Sequence, residues 1–236
     1  MDPVTDQETA RARIGWMPDA LGAWEALTVR ETLVVAGRLY GATKQAAAAR
    51  ADELIAEVGL AELTSAPARV LSRGQKQLLG LARALVHHPR VLLLDEPASG
   101  LDPAARIALR ELLRRLAGEG VAILISSHVL SELEEMVDSA VFVSRGATVA
   151  ASGARARDWR IRLVGDPGDA RESVARTLAG AEVRAERRSV LVAFSDEGAA
   201  AAALVALVQA GLPVAEFAPA SGELEQAFLE LKGAER

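Results

Sequence analysis

The chain has 236 residues, half apolar and a quarter charged, with 27 basic against 32 acidic side chains and a formal charge of −5. That balance argues against a sequence-wide attraction to nucleic acid or acidic lipid, and the apolar content excludes a wholly disordered chain. Without cysteine there are no disulfides, thiolate metal sites or cysteine nucleophiles, which fits a reducing compartment. The longest apolar run, Ala199 to Val208, is half of the roughly 20 residues a membrane span needs. Met1 to Arg13 is too polar to read as a secretion signal, and so few aromatic residues make no base-stacking platform. A soluble protein of one large domain or two modest ones is expected.

Residues 1–27 read as irregular apart from a short strand, Arg13 to Met17. Thr28-Val29-Arg30-Glu31 is a capping box that opens a helix reaching Tyr40, with Gly41 as its stop. Gln45 to Val58 is a second helix, closed by Gly59, and a third follows Ser72 to about His87. Val91 to Leu94 is a continuous apolar run, as expected of a central parallel strand, and ends in Asp95-Glu96-Pro97. Asp102-Pro103 opens a further helix whose apolar stripe includes Ile107, Leu109, Leu112, Leu113 and Leu116. Val121 to Ile125 reads as another buried strand, Ser131 to Val137 as a helix, and 140–143 with 148–151 as a hairpin across Arg145-Gly146. This alternation predicts a layered α/β domain over residues 1–151. The small, polar segment 152–158 suits a linker, and 159–236 alternates strands and helices as a small α+β domain.

Lysine occurs only at Lys44, Lys76 and Lys232. A phosphate-binding loop of the G-x-x-x-x-G-K-[ST] type wraps nucleotide phosphates with backbone N–H groups and a lysine. Lys44 follows Thr43 and precedes Gln45, Lys76 lies between glutamines, and Lys232 follows Leu231, so none is that lysine.

Two carboxylates at a strand's carboxyl end sit where α/β sheets collect ligands. Asp95 can there hold Mg²⁺ beside a phosphate chain, and Glu96 can orient an attacking water as a general base. An acidic pair that caps a loop reads equally from the same residues. In Leu71-Ser72-Arg73-Gly74-Gln75, the N–H groups at a helix start make a phosphate-sized anion site, while ordinary capping by Ser72 is the simpler reading. His128 lies just beyond a strand, where it reaches a phosphate oxygen or sits on a surface loop. His87-His88 is a helix-end pair that suits the helix dipole better than a metal.

Together, and in order, Leu71-Ser-Arg-Gly-Gln75, Val91-Leu-Leu-Leu-Asp-Glu-Pro97, Ser99-Gly-Leu-Asp102 and Ser127-His128 resemble the ATP-binding cassette (ABC) ATPases, as signature motif, Walker B, D-loop and switch histidine. Arg13 to Pro18 and Thr28 to Glu31 look like the family's Q-loop and the start of its helical subdomain; the ending Leu224 to Leu231 is similar to the C-terminal appendage of multidrug-type (ABC-2) exporter ATPases. The resemblance implies an incomplete ABC-type P-loop NTPase domain, a layered α/β sheet plus helical subdomain, followed by the small α+β domain. It implies ATP and Mg²⁺ as cofactors, with Asp95 on the metal, Glu96 activating water and His128 on the γ-phosphate. Leu71, Ser72, Arg73, Gly74 and Gln75 would meet ATP held by a second ATPase subunit in a head-to-tail dimer. Asp102 would lie at that interface. Trp16 to Thr28 would face an integral-membrane permease, placing the chain in the cytoplasm on the inner face of the membrane, with no nucleic-acid partner.

Three departures qualify that picture. Asp19 stands at the Q-loop glutamine position, where it can still ligate Mg²⁺ through water. Arg73 stands where the pattern has glycine. The nucleotide-stacking aromatic and Walker A precede the Q-loop in the family, and this sequence starts just ahead of the Q-loop. The isolated chain is therefore expected to bind ATP weakly and not to hydrolyse it. Either Met1 is internal to a longer reading frame or the piece is a genuine fragment. The competing reading is a nucleotide-incompetent adaptor that lends Ser72 to Gln75 to a complete cassette. The substrate and the direction of transport are not written in these residues.

Overall fold

A computed structural model describes residues 4–19, 25–149, 156–165 and 167–234. The chain divides into two compact units, Met1–Val129 and Leu130–Arg236. This division precedes the compositional linker at 152–158; of that linker, 152–155 lie outside the described residues, and Arg157 and Asp158 already belong to a strand.

The first unit opens with α1 (Gln7–Arg13), capped by Asp6, whose carboxylate accepts the Thr9 N–H at 3.3 Å. This corrects the irregular start expected there: an Asp cap satisfies an otherwise orphaned N–H whatever the apolar content of the helix. β1 (Ile14–Met17) follows, then α2 (Val29–Leu39) and α3 (Lys44–Glu57). The Thr28–Glu31 capping box is present in both directions. The threonine hydroxyl accepts from Glu31 N–H at 3.1 Å, and the glutamate accepts from Thr28 N–H at 2.8 Å. α2, α3 and α4 (Arg73–Leu85) pack together around buried Leu33, Ala47, Ala51, Leu54, Ile55 and Leu79. α4 also lies on β1 at Gly15, where a Cβ would overlap the Ala84 carbonyl oxygen.

β2 (Val91–Asp95), α5 (Pro103–Gly118) and β3 (Ala122–Ser126) complete the unit. The sheet is parallel, in the order β1-β2-β3, with Trp16, Leu93 and Leu124 aligned across it. Leu92 and Leu94 are buried, but β3 departs from the buried strand expected: its burial alternates and Leu124 is 64% exposed. A parallel strand is buried on both faces only when both are covered, and here one face of β3 is open. Ile107, expected in the apolar stripe of α5, is likewise exposed, whereas Leu109, Leu112 and Leu113 are buried.

The second unit begins with α6 (Leu130–Glu134), shorter than the helix expected, and the hairpin β4 (Phe142–Ser144) and β5 (Ala147–Val149). Its turn residues Arg145 and Gly146 both have left-handed φ, +50° and +80°, the conformation that suits a two-residue hairpin turn. Next come β6 (Arg157–Leu163), α7 (Pro167–Thr177), β7 (Val183–Ala185), β8 (Val190–Phe194), α8 (Glu197–Gln209), β9 (Val214–Pro219) and α9 (Glu223–Ala234). The four strands β6 to β9 form an antiparallel sheet in the order β7-β8-β6-β9. With the sequence β-α-β-β-α-β, this is the ferredoxin-like arrangement. Its core holds Ile161, Val174, Val190, Val192 and Leu207. α9 is tied to α6, because the Glu134 carboxylate accepts the Leu224 N–H at 2.5 Å.

Candidate functional site

β2 and β3 run side by side and deliver two groups of polar residues to their carboxyl ends. Asp95 pairs in register with Ser126, whose hydroxyl donates to the Asp95 carboxylate at 2.5 Å. Glu96 then leaves the strand with φ +50°, a left-handed conformation that costs a non-glycine residue about 1 kcal/mol or more. Several bonds hold it there. Its N–H donates to the Ser126 carbonyl at 3.1 Å, and its own carbonyl accepts the Ser99 N–H at 3.0 Å. Its carboxylate accepts the His128 backbone N–H at 2.9 Å, the His128 Nδ1–H at 2.8 Å and the Ser127 hydroxyl at 3.4 Å. Donation from Nδ1 to a carboxylate assigns the proton to that nitrogen and leaves Nε2 of the exposed imidazole facing outward. The Glu96 side chain is 22% exposed, so a strained backbone presents a half-buried carboxylate beside an exposed histidine.

The Leu71–Gln75 segment forms a second cluster. Ser72 and Gln75 cap one another: the serine hydroxyl accepts Gln75 N–H at 3.2 Å, and the glutamine side-chain oxygen accepts Ser72 N–H at 2.9 Å. Leu71 is buried. Gly74 lies directly on the 99–101 loop, where a Cβ would stand 2.6 Å from the Gly100 carbonyl oxygen. Arg73 donates to the Ser99 hydroxyl at 2.8 Å and lies 3.7 Å from the Asp19 carboxylate. Asp102 caps α5, its carboxylate accepting the Ala105 N–H at 2.9 Å.

The two clusters are joined by a residue that sequence reasoning missed. Gln77, 4% exposed, donates its side-chain amide to the Asp19 carbonyl at 3.3 Å and to the Glu96 carbonyl at 3.5 Å. The signal was available: Gln77 shares the buried face of α4 with Gly74 and Leu81, and a polar side chain at a core position must find partners.

The donor set at the strand ends is small. Among the described residues, no cluster of three or more His, Asp or Glu side chains is arranged to hold a metal ion. One exposed carboxylate and a neighbouring hydroxyl fit Mg²⁺, which keeps several waters and takes one or two carboxylates plus substrate phosphates. Among the described residues, no helix is long and apolar enough to cross a membrane.

Residues 1–99 match the family model described as ABC transporter. The daunorubicin resistance ATP-binding protein DrrA3 of Streptomyces coeruleorubidus is 31% identical over 245 aligned residues, covering 100% of this chain and 77% of that protein. The chain belongs to the ABC transporter ATP-binding proteins. The bacitracin transport ATP-binding protein BcrA of Bacillus licheniformis is 42% identical over 135 residues, 57% of this chain and 43% of BcrA. The probable multidrug ABC transporter ATP-binding protein YbhF of Escherichia coli is 41% identical over 137 residues, 58% of this chain and 24% of YbhF. The chain thus spans less than half the length of some of the ABC relatives that it matches. A solved ATP-binding subunit of an ABC transporter superposes with a TM-score of 0.58 at 31% identity, covering 64% of this chain and 62% of that one.

Proposed function

We propose that this chain supplies the hydrolytic and signature elements of an exporter's ATP-binding subunit and couples ATP hydrolysis at a dimer interface to a membrane permease. The observation that carries the reading is the Glu96 constellation: a strained, hydrogen-bonded carboxylate next to Asp95 and His128 at the ends of adjacent parallel strands. Asp95 would hold Mg²⁺ through one carboxylate and bound waters; the ion would supply charge stabilisation to the phosphates. Glu96 orients the attacking water as general base, and the outward Nε2 of His128 contacts the γ-phosphate. Ser72, Gly74 and Gln75 would complete the site of the opposite subunit, where the helix start offers the phosphate the N–H groups that the Ser72–Gln75 capping box does not use. The segment Trp16 to Thr28 would face the permease, and Trp16 is exposed; residues 20–24 of that segment lie outside the described residues.

The open face of β3 and the absence of a G-x-x-x-x-G-K-[ST] loop from this sequence support a division of labour, in which the phosphate loop is contributed from elsewhere. The same observations favour the adaptor reading, in which the loop belongs to another subunit. An in-frame phosphate loop in the nucleotide sequence upstream of Met1 decides for the motor subunit. Reconstitution with such a loop tests the chemistry: Glu96→Gln should lower Mg-ATP turnover by about 10³-fold or more while nucleotide binding persists. The isolated chain should bind ATP weakly and turn none over. Turnover by the pure chain, abolished by Glu96→Gln, overturns the division of labour.

A further inference from the structure

The two positions at which this chain departs from the resemblance, Asp19 and Arg73, face one another: the guanidinium lies 3.7 Å from the carboxylate. The same guanidinium donates to Ser99, and its aliphatic stem crosses Gly100. A Cβ at Gly100 would meet the Arg73 Cγ and Cδ at 3.0 and 3.1 Å, and φ at this glycine is +75°. Beneath it, Gln77 binds the Asp19 backbone. The first turns of α4 therefore hold both the segment after β1 and the loop after β2, through the Arg73 guanidinium and the Gln77 amide.

Both charged side chains are largely exposed, at 69% and 51%. An ion pair of that kind adds little to folding stability. Its consequence is the local charge. Asp19 alone would set an unbalanced negative charge beside a site built for a polyphosphate, and Arg73 cancels it.

We infer that Arg73 and Asp19 are a matched pair, in which Arg73 is a positioning residue that neutralises Asp19, holds Ser99–Gly100 against α4 and thereby sets the affinity of the assembled site for Mg-ATP. This rests on the proposed function. The experiment uses this chain reconstituted with the phosphate loop, as for the proposed function, and reads KM and kcat for Mg-ATP together with the melting temperature.

Arg73→Gln should raise KM about fivefold, the effect of one unbalanced charge in water, with kcat within about twofold of wild type and the melting temperature unmoved. Arg73→Lys should keep a near-wild-type KM. Asp19→Asn on its own also removes any water-mediated contact of Asp19 with Mg²⁺ and is the reference for the double variant: Arg73→Gln combined with Asp19→Asn should show a KM no higher than Asp19→Asn alone, because no charge is then left unbalanced. A double variant with a KM about fivefold above that of Asp19→Asn overturns the pairing, as does a parallel loss of kcat and melting temperature. A Glu96→Gln control separates the two ideas. If turnover requires Glu96 and the two substitutions simply add, only the pair fails; if turnover is absent or indifferent to Glu96, the functional reading fails and the pair with it.

Discussion

The three-stranded and four-stranded sheets of this chain solve the same burial problem differently. The antiparallel sheet of the C-terminal unit closes on its own helices, and Ile161, Val192 and Leu207 are fully buried in the result. The parallel sheet of the N-terminal unit is sealed on one face by residues such as Leu92 and Leu94, while Trp16 and Leu124 stand open on the other. Every candidate catalytic residue belongs to the second case. The C-terminal unit holds its core within itself, whereas the N-terminal unit leaves apolar side chains exposed on one face of its sheet.

The largest effect should come from placing one charge in each sheet. Val192→Lys puts an ammonium into a closed core and should cost about 4 kcal/mol or more, enough to unfold the C-terminal unit. Leu124→Lys, at an exposed site of β3, should change stability by no more than about 0.5 kcal/mol. Urea unfolding of both variants checks the contrast; equal losses would break the distinction between the closed and open sheets.

Next in size are two glycines whose missing Cβ meets different kinds of neighbour. At Gly74 the obstacle is backbone, the Gly100 carbonyl, which cannot turn aside, so Gly74→Ala should cost about 1–3 kcal/mol. At Gly222 the obstacle is the end of the Glu134 side chain, which can rotate away at the loss of its bond to the Leu224 N–H, about 1 kcal/mol. A Glu134→Ala/Gly222→Ala double variant should then cost no more than Glu134→Ala, by the same unfolding measurement.

Local signals explain what was legible in the sequence. The Thr28–Glu31 capping box, the Ser72 cap, the Asp102-Pro103 helix start and the strand that carries Asp95 depend on neighbours within a few residues, and all are present. The burial of β3 was misjudged because an apolar run reports what a strand could bury, not what covers it. The strand order of the C-terminal sheet depends on pairings between distant segments such as β6 with β9, which no local pattern encodes. At the candidate site the motifs named Glu96 and His128, but their mutual bonds and the left-handed Glu96 are properties of the β2–β3 pairing. Gln77 was hidden for the same reason: its partners, the Asp19 and Glu96 carbonyls, are far away in sequence.

The smallest effect concerns the closed face of the parallel sheet and has a definite sign. His87 stacks on Tyr40 with ring centroids 3.8 Å apart and donates through Nε2 to the Ile14 carbonyl at 3.1 Å, tying the end of α4 to β1. Its Nδ1 is buried without a hydrogen-bond partner, so a proton there would meet no acceptor. Burial, aided by the neighbouring His88, holds its pKa below the ordinary histidine value. As pH falls through about 6.5, the unfolded chain takes up a proton at this residue before the folded one does. The contribution of neutral His87 is thus complete above that pH and is lost as pH falls toward the depressed folded value. His87→Phe keeps the stacking but removes the titration, so its urea midpoint should fall less than that of wild type between pH 8 and pH 5.5. An unchanged pH dependence would mean that the closed face does not discriminate against the charged ring.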